Sequence, residues 1–181
     1  MAFEVKFELK ESDLDHFREV MRQAQSGAKK LSEKEILTNA KNLSEDVKGN
    51  VPEFVSIRIK KLVTLVAMIE DDEWKIPEEE RSDVLSALAY FSDPEDLVPD
   101  HIPVLGFLDD AIMIELVAEE LKDDIEAFEE FCAYRIREEG RKDTTVTRDE
   151  WLDSKRRELH SRMRNRRSTR RSGRSSFRSV F

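Results

Sequence analysis

The chain has a single cysteine, Cys132, so no disulfide can close within it, and a lone thiol fits a reducing compartment. Glycine and proline number only five each, too few for the turn-dense chains of sandwiches and barrels. Long apolar runs are missing as well. The best, residues 102–118, is interrupted by Asp109, Asp110 and Glu115 and falls short of the roughly 18 uncharged apolar residues a spanning helix needs. The opening stretch "MAFEVKFELKESDLD" carries early acids and no unbroken apolar core, which is not the pattern of a secretory signal. Histidine occurs only as His16, His101 and His160, far apart on different predicted elements. No G-x-S-x-G, phosphate-binding P-loop, dinucleotide fingerprint or H-E-x-x-H occurs, so none of those catalytic classes is indicated.

Charge is abundant instead. Asp, Glu, Lys and Arg make up 39% of the residues, well above the usual quarter, and the apolar residues, also 39%, supply a core. This balance, with little Gly or Pro, predicts a mostly α fold. The net charge of −9 conceals an asymmetry: residues 155–181 hold eleven basic residues against Glu158, a net +10, and residues 1–154 carry −19. The sequence describes an acidic body with a basic tail.

Phe3, Val5, Phe7 and Leu9 alternate with Glu4, Lys6 and Glu8, which predicts a short strand over residues 3–9. Its available partners are the β-branched run "TTVT" at 144–147 or the same strand of a second copy, giving a homodimer; the rival reading is an extended arm packed on the helices. Ser12 with Asp15 predicts a helix carrying Leu14, Phe17, Met21 and Ala24 and stopping at Gly27. Ser32 and Glu35 form a capping box for a helix to about Asp46. Pro52 starts the most apolar helix, extending to about Trp74, and Pro77 starts one that puts Val84, Leu88 and Phe91 on one face. Pro94, Pro99 and Pro103 hold the next stretch extended. A helix then restarts near Gly106, with Leu108, Ala111, Ile114, Leu121, Ile125, Phe128 and Cys132 forming one long stripe that ends before Gly140. Thr147 and Glu150 form a second capping box, opening an amphipathic helix. The expected organisation is an acidic helical domain over 1–140, an amphipathic basic helix over 141–167 and a disordered basic tail over 168–181.

Within "YFSDPEDLVPDHIPVLGFLDD", the residues Tyr90, Pro94, Asp96, Leu97, Pro99, Asp100, Ile102, Pro103, Gly106, Leu108, Asp109 and Asp110 follow a spaced pattern, roughly P-x-D-L-I-P-D-x-I-P-x-x-G-x-L-D-D after a tyrosine. This stretch resembles the YkvA-like family of bacterial proteins, with Val98 in place of the usual isoleucine and the similarity centred on residues 84–125. The resemblance implies a helical hairpin and a bacterial origin, and no activity. Some members of that family with more apolar hairpins are regarded as membrane proteins, which makes membrane association through residues 97–117 an alternative.

Asp96, Asp100, Asp109 and Asp110 are the candidates for a divalent-metal site, and hence for a metal-dependent hydrolase, because hard cations take several carboxylate oxygens; His101 would add a nitrogen. Adjacent helical residues point about 100° apart, however, and acids in a first turn serve the exposed N–H groups and the helix dipole, so a structural role is favoured. Cys132 lies on an apolar stripe and reads as an inert thiol. Trp74 and Trp151 read as covers for core edges, with Trp151 also suited to anchoring a partner. The arginines Arg162, Arg164, Arg166, Arg167, Arg170, Arg171, Arg174 and Arg178 are the candidate polyanion contacts, for RNA, DNA or an anionic lipid surface. The same charges are also attracted to the −19 body. The expected function is a non-catalytic interaction module of the bacterial cytoplasm with a protein partner and a polyanion partner; no catalytic residue or cofactor is assigned.

Overall fold

The computed structural model describes residues 8–28, 31–47, 51–92, 107–140 and 146–171. Among them the chain forms α1 (Glu11–Ala28), α2 (Glu33–Asp46), α3 (Glu53–Glu70), α4 (Glu78–Leu88), a 3₁₀ turn (Ala89–Ser92), α5 (Leu108–Glu120), α6 (Lys122–Glu139) and α7 (Arg148–Arg171). The fold is mostly helical, as the composition requires.

Several helix starts follow directly from local sequence. At α2 the Glu35 amide donates to Ser32 Oγ at 3.3 Å and the Ser32 amide to Glu35 Oε2 at 2.7 Å, closing the capping box. Thr147 and Glu150 repeat it at α7, with 3.4 Å and 2.9 Å. Pro52 and Pro77 are the residues immediately before α3 and α4, where a missing N–H costs nothing. Val84, Leu88 and Phe91 are all buried. α1 differs from expectation: it begins at Glu11, the Lys10 amide being held by Asp13 Oδ2 at 2.8 Å, and it continues through Gly27.

No strand occurs among the described residues. Most of the expected strand, including Phe3, Val5 and Phe7, lies outside them, and Leu9 sits in irregular backbone before α1. Of the expected pairing run, residues 144 and 145 lie outside the described residues, and Thr147 serves as the cap of α7. The long helix expected from Leu108 onward is two helices meeting at Leu121, whose φ of −94° and ψ of 16° leave the helical range. Asp123 and Asp124 then act as first-turn acids of α6.

One apolar cluster joins all the helices, running from Met21 in α1 through Leu62 and Leu65 in α3, Met113 in α5 and Phe131 in α6 to Leu159 and Met163 in α7. α3 lies against α2 and α5, and α6 against α7. The α3–α4 connection ties these parts together. Asp71 Oδ1 accepts the Glu73 and Trp74 amides, each at 2.9 Å, folding the chain back so that the Trp74 ring enters the core. Trp74 is fully buried, with ring centroids 5.7 Å from Phe128, 5.2 Å from Phe131 and 4.5 Å from His160. It is a core residue and not the edge cover expected from sequence. Arg135 of α6 fixes the same loop, donating to Asp71 Oδ2 at 2.9 Å and Glu73 Oε2 at 2.8 Å.

Candidate functional site

The basic residues that the sequence groups into one tail are divided by α7 into two sides. Residues 152, 159, 163 and 167 recur at helical spacing on the side facing the body, and Leu152, Leu159, Met163 and Arg167 are all buried there. The cations flanking that line meet acids of the body. Lys155 Nζ lies 2.8 Å from Glu130 of α6, and Arg162 pairs with the same carboxylate. Arg166 reaches Glu126 at 3.2 Å and Asp123 at 3.7 Å. Glu130, caught between Arg162 and Lys155, is held well below the usual carboxylate range, at about 2, by their hydrogen bonds.

Arg167 goes further. Its guanidinium enters the space beside α4, where NH1 lies 2.9 Å from Glu80 and NH2 pairs with Asp83. Arg167 is only 6% exposed and Glu80 1%. A cation so deeply enclosed cannot meet a phosphate of another molecule without leaving its place, so it belongs to the fold and not to the polyanion set. The structure contains a buried charged anchor at a residue expected, from sequence, among the polyanion contacts.

The opposite side of α7 is open. Arg157 has 79% of its side chain exposed, although it also pairs with Asp153. Arg164 is exposed and forms no ion pair with any described residue. Arg170 and Arg171 occupy the last two positions of α7, beyond the 167 boundary expected from sequence, and Arg174 and Arg178 lie outside the described residues.

Of the motif residues, Tyr90 is buried in the 3₁₀ turn with its ring 5.0 Å from that of Phe91, and Leu108, Asp109 and Asp110 form the first turn of α5. Asp109 and Asp110 are 2% and 6% exposed and both are engaged within the fold. Pro94, Asp96, Leu97, Pro99, Asp100, His101, Ile102, Pro103 and Gly106 lie outside the described residues. Among the described residues no three His, Cys, Asp or Glu side chains are grouped as a metal ion would require. Cys132 is half-buried, and burial pushes its thiol above the usual range. Trp151 is also half-buried, its ring edge-on to Tyr134 at 5.3 Å.

A cleft of about 450 Å³ lies between the α3–α4 connection and the start of α7. Asp72, Glu73, Asp149, Glu150 and Asp153 face Lys75 and Arg156 around it, an excess of negative charge that repels phosphates. The open side of α7, with Arg157 and Arg164 exposed, is the candidate polyanion surface among the described residues.

The comparisons with known proteins address the other end of the fold. A family model described as a protein of unknown function, DUF1232, matches residues 84–116. That stretch runs from the middle of α4 into α5 and covers less than half of the chain. No curated protein and no solved structure matches the chain.

Proposed function

We propose that this chain is a non-catalytic interaction module of the bacterial cytoplasm, related to the YkvA-like family, whose acidic helical body meets a protein partner and whose basic end meets a polyanion such as RNA or DNA. One observation carries the polyanion part: α7 spends its inward cations on Glu80, Asp83, Glu126 and Glu130 and leaves Arg157 and Arg164 facing outward. Four more arginines follow at 170, 171, 174 and 178. The matching of residues 84–116 to a family of unknown function supports the kinship and adds no activity. The membrane alternative, with residues 97–117 as a lipid-seeking hairpin, draws less support from the described part. Met113, Ile114 and Val117 are committed to the protein core, and no helix among the described residues is long and apolar enough to cross a membrane.

Fluorescence anisotropy of labelled RNA and DNA across a salt series tests the reading. If Arg157, Arg164 and the four later arginines engage phosphates, the log–log salt slope is about −5, an affinity loss of roughly a thousandfold between 50 and 200 mM salt. Replacing the four later arginines by serine should flatten that slope by more than half. A chain cut at Ser154 would be a poor control, since it also removes Leu159, Met163 and Arg167 from the core. Failure of the full chain to bind any polyanion at low salt ends this reading.

A further inference from the structure

We infer that the outward face of α7 is a docking strip for duplex DNA, gripped through its phosphates; the inference rests on the polyanion reading above and narrows it. Arg157, Ser161, Arg164 and Ser168 are all exposed and follow one another at spacings of four, three and four. At about 100° per residue they fall within a strip roughly 60° wide, and residue 171, also arginine, continues the register. Guanidinium and hydroxyl groups are among the side chains that contact phosphate oxygens. Glu158 and Asp153 are acids beside this strip; Lys155 holds Glu158 at 3.1 Å, and Arg156 and Arg157 both pair with Asp153.

Three arguments favour a duplex over a single strand. First, the strip is rigid before binding, because Leu152, Leu159, Met163 and Arg167 fasten the other side of the same helix. Arg157 and Arg164, seven residues apart, stand about 10.5 Å apart along the axis of this fixed helix. Duplex DNA is likewise a stiff, evenly charged rod, so neither partner loses much freedom on contact. Second, proteins that hold single strands stack bases on aromatic rings. The described outward face has none: Trp151 is set against Tyr134, and His160 is turned inward against Trp74. Third, the acidic body repels DNA from its other faces, so approach with α7 leading is the favoured orientation.

B-form DNA is preferred over duplex RNA because its major groove, about 12 Å wide, admits a helix and the narrow groove of the A form does not. With Arg157 and Arg164 engaged on phosphates, binding should depend little on sequence.

The experiment compares the full chain with its Arg157→Gln/Arg164→Gln variant against a labelled 20-base-pair DNA duplex, either strand alone, and the matching RNA duplex. The DNA duplex should bind at least tenfold more tightly than the others. The double variant should keep its helical circular dichroism and lose close to two units of the log–log salt slope. Equal or tighter binding of single strands or of duplex RNA overturns the inference, as does an unchanged slope in the variant; each leaves the polyanion reading standing. Absence of binding to every probe overturns both.

Discussion

The 18 residues of α3 bury Val55, Ile59, Leu62, Leu65, Val66, Met68 and Ile69, whereas the 24 residues of α7 bury Leu152, Leu159 and Met163 beside the charged Arg167. α3 is held chiefly by removing apolar surface from water, which salt and moderate pH leave nearly unchanged, with Arg58 and Lys61 pairing to Glu115 of α5 and Glu70 to Lys41 of α2 at its exposed edge. α7 is held by a thinner apolar line reinforced with ion pairs to Glu130, Glu126, Glu80 and Asp83, whose strength depends on both. One helix serves as the permanent centre of the fold. The other is attached in a way that leaves half its circumference free, and the candidate site lies on that half.

The contrast can be broken hardest at α3. Leu65 is fully buried, so Leu65→Ala leaves a void among well-packed neighbours and should cost about 3 to 5 kcal/mol, lowering the urea midpoint for the whole molecule at any salt concentration. Arg167→Met tests the other attachment. It strands Glu80, 1% exposed, and Asp83 beside an apolar side chain, with an expected loss of about 3 kcal/mol. Amide hydrogen exchange should locate that loss, with protection falling in α7 and α4 before α3. Adding Glu80→Gln to Arg167→Met should restore a large part of it, because the stranded charge and not the missing contact dominates the penalty. If α3 and α7 lose protection together in Arg167→Met, the two helices are a single cooperative unit and the comparison fails.

The parts legible in the sequence were those whose partners lie within one helical turn. Ser32 with Glu35 and Thr147 with Glu150 announce their helices because cap and reply stand three residues apart. The break at Leu121 was hidden, since the apolar period of three to four continues through it from Val117 to Phe128. Trp74 looked peripheral because the loop carrying it is fixed by Arg135, more than sixty residues away in sequence. Arg167 was hidden by its surroundings: in an arginine-rich run it reads as one more tail charge. The available signal was its register, four residues beyond Met163 and eight beyond Leu159 on the buried line. Periodicity carried past the last apolar residue would have turned that arginine inward, and would have left Arg157 and Arg164 outside.

Acid should release α7 before it reaches α3, and the order of events follows from two groups. His160 is pushed down to about 4, first by burial against the Trp74 ring and then by Arg156 and Arg164 on its own helix, while a hydrogen bond with the Trp74 backbone acts the other way. Its folded form resists a proton that the unfolded chain takes up near pH 6.5, so stability present above that value is lost as pH falls from about 6.5 toward 4. With part of the ring still meeting solvent, the loss is about 2 kcal/mol. Glu130 follows at lower pH: its carboxylate, held at about 2, contributes stability above 4.5 that disappears as pH falls between those values. Urea midpoints measured from pH 7.5 to 3 should therefore decline in two stages, with His160→Gln flattening the upper stage and Glu130→Gln the lower. Exchange protection in α3, where no titrating side chain is buried, should hold through the first stage. A first stage that survives in His160→Gln would move the proton uptake to another group and remove the link between acid and the attachment of α7.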